Sequence, residues 1–176
     1  MLLRIISGGQ TGADRAGLDF AIQAGLEHGG YVPKGRKAED GRIDDRYQLI
    51  ELSSSSYVDR TKRNVEESGG TVIFSLETEL TGGSELTRSH AIQAGKPVIH
   101  IHDGGTEKNR TALLTEVWRL RNFVDKNGIE VLNVARPRES KEPGVYGFTL
   151  QMLRQYWENR NAPDDISEYL HSKGLA

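Results

Sequence analysis

The sequence predicts an α/β domain with an open parallel sheet covered by helices on both faces. Three observations predict it. Short apolar, β-branched runs alternate with stretches of helical period along the whole chain, the rhythm of strand–helix–strand crossovers. Two of those runs pass into helices through paired glycines, Gly8-Gly9 and Gly82-Gly83. The pentapeptide Ala21-Ile22-Gln23-Ala24-Gly25 recurs as Ala91-Ile92-Gln93-Ala94-Gly95, each time ending the helix that a Gly-Gly turn began.

Leu2 to Ile6 is a continuous apolar run, as expected of a strand covered on both faces. Ser7 to Gly12 breaks it. Ala13 to Ala24 then carries Ala16, Phe20 and Ala24 at i, i+4, i+8, broadened by Leu18 and Ala21 into an amphipathic helix that Gly25 stops. A second strand is expected at Gly30 to Val32, ended by Pro33, and a long charged loop from Lys34 to Arg42. Leu49 to Leu52 fits either a strand or a turn. Asp59 reads as the N-cap of a helix over Thr61 to Glu67, which Gly69-Gly70 ends. Thr71 to Leu76 is a strand rich in β-branched and aromatic residues. Gly82-Gly83-Ser84 opens a helix to about Ala94, with Ser84 able to cap it, and Pro97 to Ile101 is the next strand. A long helix over Arg110 to Lys126 buries Leu113, Leu114, Val117, Leu120 and Val124. A strand from Glu130 to Val134, a loop with Pro137 and Pro143, and a helix from about Phe148 to Asn161 complete the pattern. Residues 1–161 therefore form the ligand-binding domain, and 162–176 a C-terminal tail with at most a turn or two of helix.

The two glycine loops can share a crevice only if their strands are neighbours. With right-handed crossovers this implies strand order 2-1-3-4-5, with the topological switch between strands one and three.

Four constellations carry candidate binding chemistry. In Gly8-Gly9-Gln10-Thr11-Gly12-Ala13-Asp14-Arg15, glycines expose backbone N–H groups at a helix start, where the dipole favours a phosphate. Thr11 adds a hydroxyl and Arg15 a charge. The loop is neither a Walker A sequence nor a GxGxxG fingerprint, and a tight turn without a ligand is the alternative. Thr81-Gly82-Gly83-Ser84, with Thr87 one turn on, repeats the physics, against the plainer reading of an N-cap loop. Lys34, Arg36 and Lys37 form a basic loop suited to a phosphate tail or simply to solvent. Arg60-Thr61 with Asn64, at a helix start, is equally two-sided. Asn133 and Arg138, leaving the last strand at the same edge, are expected to border the crevice. Substitution of Gly9 or Gly83 by valine is expected to abolish ligand binding with the fold retained, and Arg36→Ala to weaken an anion most at low salt.

Other chemistries are bounded by composition. The 176 residues contain no cysteine, which removes thiolate nucleophiles and thiolate metal sites. His100 and His102 share a strand face with His90 nearby, yet no carboxylate stands at ligand spacing, so no metal site is expected. A net charge of −2 with mixed signs and no nucleic-acid motif argues against a nucleic-acid partner. The apolar start is too short for a signal peptide, and no run approaches the ~20 residues that cross a bilayer, so a cytoplasmic location is expected. No nucleophile elbow or catalytic triad can be assembled.

The Gly8–Asp14 loop, the Pro33–Gly41 loop, Arg60-Thr61 through Asn64-Val65, Thr81–Thr87, and Asn133-Val134-Ala135 with Pro143 to Tyr146 together resemble the molybdenum cofactor carrier family. The likeness spans roughly residues 1 to 160. That family sits in a Rossmann-like superfamily with the Lonely Guy phosphoribohydrolases, often called lysine decarboxylase-like. The resemblance implies a homo-oligomer whose glycine loops hold the phosphate of molybdenum cofactor (molybdopterin) or of a nucleotide, bound as a ligand. Two departures stand out. The hydrolases' catalytic glutamate has no counterpart here, Glu85 coming too early, which argues against an enzyme. A glycine is usual where Arg136 stands, so that loop differs in shape or gains a ligand contact. The expected function is a carrier for a phosphate-bearing pterin or nucleotide. The alternatives are N-glycosidic cleavage of a nucleotide, with Asp14, Glu85 or Asp103 as the carboxylate, and a nucleotide-sensing module.

Overall fold

The computed structural model describes residues 1–104 and 109–175. Its elements in chain order are β1 (Arg4–Ile6), α1 (Ala13–Ala24), β2 (Glu27–Gly29), β3 (Tyr31–Val32), β4 (Lys37–Ala38), β5 (Gly41–Arg42), β6 (Ile50–Glu51), α2 (Tyr57–Glu67), β7 (Gly70–Ser75), α3 (Gly82–Gln93), β8 (Val98–His102), α4 (Arg110–Lys126), β9 (Val131–Ala135), α5 (Val145–Glu158) and α6 (Ile166–Ser172).

The central sheet is five-stranded, in the order β2-β1-β9-β7-β8, and every pairing in it is parallel. Counted by chain order of its own strands, this is 2-1-5-3-4, which corrects the expected 2-1-3-4-5. The last strand, not the Thr71 strand, lies beside the first. Asn133 faces both neighbours in register, opposite Ile6 on one side and Thr71 on the other. Four of the five β9 residues are buried, so its apolar sequence has the composition of a central strand. The amide of Asn133 is accommodated there by donating to Thr71 Oγ1 at 3.1 Å.

The two faces differ in chemistry. Helices α1, α4 and α5 cover one with the main core, in which Phe20, Phe74, Val117, Leu120, Val124, Met152, Leu153 and Tyr156 pack against the sheet. Helices α2 and α3 cover the other. Their buried residues include Arg60, Thr61, Asn64, Ser84 and Thr87, so this face is polar near the carboxyl edge. A satellite core of Leu18, Val32, Ile43, Tyr47 and Leu49 lies under the segment that follows the second strand.

That segment departs from expectation. The sheet strand is Glu27–Gly29, and Gly30, at φ 121°, bends the chain so closely that a Cβ would stand 2.1 Å from the Ser7 carbonyl oxygen. Tyr31–Val32 then pairs with Ile50–Glu51 in a separate two-stranded ribbon. The charged loop folds into the small antiparallel hairpin β4–β5. Helix α2 starts earlier than predicted: Ser56 Oγ accepts from Asp59 N–H at 3.2 Å, so Ser56 is the cap and Asp59 sits in the first turn. At α3 the N-cap is Thr81, with no side-chain cap, and Ser84 lies inside the helix. Helix α5 begins at Val145 because the Glu139 carboxylate accepts from Gly144 and Tyr146 N–H, at 2.6 and 3.0 Å. In the tail, α6 docks on α4. Tyr169 is buried there, Trp118 Nε1 donates to the Asp164 carbonyl at 3.0 Å, and Arg121 donates to the Pro163 carbonyl and pairs with Asp164. No helix among the described residues is long and apolar enough to cross a membrane.

Candidate functional site

The loops after β1, β7 and β9 all leave the carboxyl edge of the sheet, and the structure assigns them different tasks. In the first glycine loop the exposed-donor expectation can be checked bond by bond. Gly9 N–H donates to Ser7 Oγ (3.2 Å), Gln10 to Asp14 Oδ2 (3.3 Å), Thr11 to Gln10 Oε1 (3.1 Å) and Ala13 to the Pro137 carbonyl (3.3 Å). Those donors are already occupied within the chain. The β4–β5 hairpin closes over them: Glu39 N–H donates to Gln10 Oε1 at 2.8 Å, and Thr11 Oγ1 donates to the Glu39 carboxylate. Arg15 is held by Asp40 at 2.8 Å and donates to the Gly9 carbonyl at 3.1 Å. Gly9, at φ 69°, backs onto the satellite core, where an added Cβ would stand 2.9 Å from Leu49.

The basic loop divides likewise. Lys34 and Lys37 are exposed. Arg36 is buried, and its guanidinium donates to the carbonyls of Ile43, Leu49, Asp44 and Tyr47 at 2.9 to 3.2 Å. It organises the satellite lobe. Asn64 clamps Tyr31, accepting its N–H at 2.9 Å and donating to its carbonyl at 3.0 Å.

Between the two glycine loops lie arginines. Arg60 pairs with Asp14 at 2.9 Å, both side chains only 3% exposed. Gly8 lies under that guanidinium, so closely that a Cβ there would stand 1.6 Å from Arg60 Nη1. Arg136 covers Gly83 in the same manner, 2.1 Å from where a Cβ would be. The space left among Gly8, Asp14, Arg60, Asn133, Thr87 and Arg136 is about 10 Å³, enough for about one water. The shared cleft expected between the loops is therefore filled.

An open cleft of about 550 Å³ lies instead on the far side of Arg136, lined by Thr81, Gly82, Gly83, Ser84, Arg136, Pro137, Arg138, Lys141, Glu77 and Glu142. Its volume is in the range of small-ligand sites. The N–H groups of Gly82 and Gly83 meet no acceptor among the described residues, and Gly82 faces open space. Thr87 Oγ1 donates to the Gly83 carbonyl at 2.9 Å and steadies the turn.

Arg136 dominates the electrostatics. It adopts φ 28°, in the left-handed region, where its N–H donates to Asp14 Oδ1 at 3.0 Å and its Nη2 to Thr61 Oγ1 at 3.0 Å. No carboxylate among the described residues lies within 4 Å of its guanidinium. Burial, and then the neighbouring Arg60 charge, push its pKa down to about 10. Arg138 adds a second cation, its guanidinium 5.0 Å from the ring centre of Tyr57. Glu142 accepts from Leu76 N–H at 2.6 Å, and burial pushes its carboxyl up.

Sequence reasoning thus placed Thr81, Gly82, Gly83, Ser84 and Arg138 around this cleft, with Thr87 just beneath it. Its candidates in the first loop, the basic loop, Arg60, Asn64 and Asn133 lie elsewhere or are bound up in structure. Lys141, Glu77, Glu142 and Tyr57 were not anticipated, and Arg136 was flagged only by standing where a glycine is usual. Among the described residues no three His, Asp or Glu side chains cluster. His100 Nε2 lies 2.6 Å from Ser75 Oγ, and burial lowers its pKa to about 4.

The model of the circularly permuted YpsA SLOG family matches residues 5–157. The chain belongs to that family. A crystal structure at 1.45 Å of a protein from Syntrophus aciditrophicus SB, provisionally named a molybdenum carrier protein, is similar, with a TM-score of 0.82 and 44% identity. The similarity covers 88% of this chain and 94% of that one. No curated protein matches. In this SLOG-family chain every residue of the cleft lies inside the matched span, whereas α6 lies beyond it.

Proposed function

We propose that the chain is a binding protein for an anionic small molecule, a phosphate-bearing pterin such as molybdenum cofactor or a nucleotide, held in the cleft of the second glycine loop. One observation carries the reading. A guanidinium without a carboxylate partner stands beside two unengaged helix-start N–H groups in a cleft of ligand size. The name of the Syntrophus protein makes the pterin the first candidate. With no cysteine in the chain, the molybdenum finds no thiolate. Gly82, Gly83, Arg136 and Arg138 would hold the phosphate, and retention rests on that phosphate and on hydrogen bonds to the pterin.

Calorimetric titration with inorganic pyrophosphate and with molybdenum cofactor tests the proposal. Both should bind, and Gly83→Ala, whose methyl displaces the Arg136 guanidinium, should weaken both about tenfold or more. Undiminished binding in that variant would place the site elsewhere.

A nucleotide-cleaving activity has one observation in its favour, the partly buried Glu142 lining the cleft. The three carboxylates singled out from sequence are less suited. Asp14 is locked to Arg60, Glu85 pairs with Arg88 on the surface, and Asp103 lines a different groove. Release of free base from a panel of nucleoside monophosphates would establish that activity.

A further inference from the structure

The cleft contains an unmatched pair. Arg136 has no carboxylate within 4 Å among the described residues, and the Glu142 carboxylate has no cation within that distance, although Arg138 and Lys141 share its turn. Lys141 and Glu142 N–H both donate to the Arg138 carbonyl, at 3.0 and 3.1 Å, and the Leu76 N–H fixes the Glu142 carboxylate at the end of β7. Within one cavity, then, stand a cation and an anion that do not neutralise each other. Partly buried charges left this way cost free energy, which a ligand of opposite polarity at each end recovers.

We infer that Glu142 is a specificity-determining residue that reads the paired N–H donors of a 2-amino-4-oxopyrimidine ring, the edge common to guanine and pterins. The inference rests on the anion-binding reading of the same cleft. A carboxylate offers about four lone-pair sites, and the backbone N–H groups of Leu76 and Glu77 occupy up to two of them, which leaves the other two for a two-point contact with two adjacent N–H groups. The guanine or pterin edge presents two neighbouring donors. The adenine edge presents a donor beside an acceptor nitrogen, and that acceptor is repelled by the carboxylate. Removal of the 2-amino group, as in IMP, leaves a single donor.

The full-length protein is titrated by calorimetry with inorganic pyrophosphate, GMP, neopterin monophosphate, IMP and AMP, and the series is repeated on Glu142→Gln. Glutamine keeps an oxygen for Leu76 N–H, and thermal melting verifies the fold. The wild type should bind GMP or the pterin phosphate about tenfold or more tightly than AMP, with IMP between. Which of the two binds more tightly identifies the source of the ring. Glu142→Gln should erase most of that preference without weakening pyrophosphate binding. Equal affinity for GMP, pterin phosphate and AMP, or a preference that survives Glu142→Gln, overturns the assignment of Glu142 while pyrophosphate binding upholds the anion site. Release of guanine during the titration also overturns it, since the carboxylate would then act on the glycosidic bond. Failure of pyrophosphate and every phosphate ester to bind removes both readings.

Discussion

Replacing Arg136 by glutamine should make the ligand-free protein more stable and leave it unable to hold an anion. The magnitude follows from the environment of the guanidinium. Burial, with Arg60 adding like-charge repulsion, lowers its pKa to about 10. A drop of that size costs the folded state on the order of 3 kcal/mol at neutral pH, an upper figure because part of the side chain meets solvent. The sign is that of a base with a depressed folded pKa. Between about pH 10 and the unfolded value the unfolded chain keeps the proton that the folded chain sheds, so the penalty is fully present below about pH 10 and lifts as pH rises above it. Glutamine carries no charge, and Thr61 Oγ1, the partner of Arg136 Nη2 at 3.0 Å, keeps its own bond to the Tyr57 carbonyl at 2.8 Å. Urea denaturation at pH 7.5 should show Arg136→Gln more stable by about 1 to 3 kcal/mol. For a chain of this length that is a rise in Tm of roughly 2 to 12 °C. Pyrophosphate should raise the wild-type Tm by ligand linkage and leave the variant's unchanged. A variant destabilised by more than about 1 kcal/mol, and still shifted by pyrophosphate, would refute the reasoning: the guanidinium would then be a structural strut and the anion would bind elsewhere.

Other substitutions separate structural from binding arginines. Asp14→Asn leaves Arg60 charged and buried without its partner, and should cost about 3 to 5 kcal/mol in urea denaturation; a loss under about 1 kcal/mol would show the pair to be idle. Arg36→Met strands four carbonyls of the satellite lobe and should cost about 2 to 4 kcal/mol whatever the salt. Intact stability with a salt-dependent loss of anion affinity would return Arg36 to the binding loop. His100 has its pKa lowered to about 4 by burial, then by the charges of His102, Arg119 and Arg88. The unfolded chain therefore takes up its proton first, and stability should fall as pH drops from about 6.5 to 4. His100→Asn should flatten that acid limb, and an imidazole titrating near pH 6.5 by NMR would contradict the assignment.

Legibility in the sequence followed the range of the interactions. Helices α1 and α4 match the residues read from their apolar period, because that period depends only on neighbours three and four positions away. Strands were located to within a residue or two, except the second. There a two-residue apolar run at Tyr31–Val32 outranked Glu27–Gly29, whose pairing with β1 is a long-range event. Sheet order was misread because it was inferred from an assumed binding role. The apolar composition of β9, whose last four residues are buried, suits the centre of the sheet. Arg36 and Arg136 make the same point at the site. Both are loop arginines at positive φ. One finds four carbonyls from a segment seven to thirteen residues away, whereas the other finds a threonine and an open cleft. Residue type and loop position were visible; the acceptors that decide each role were not.

The contrast between the two glycine loops shows what separates a turn from an anion site. Both join a strand to a helix through paired glycines, and both carry donors at a positive helix end. In the first, Ser7, Gln10 and Asp14 are all short-range acceptors, and three successive N–H groups, those of Gly9, Gln10 and Thr11, turn inward to them. Around Gly82 and Gly83 the sequence supplies Leu80, Thr81 and Ser84, and no side chain there accepts from either glycine N–H. A buried donor left without a partner costs on the order of 1 to 3 kcal/mol, so a loop that supplies its own acceptors has little reason to recruit an anion. Glycine content therefore marks where the backbone can approach a ligand, while the polar side chains within four residues decide whether its donors are still available. By that criterion Ser7→Ala should free the Gly9 N–H without creating an anion site there, because the β4–β5 hairpin still covers the loop.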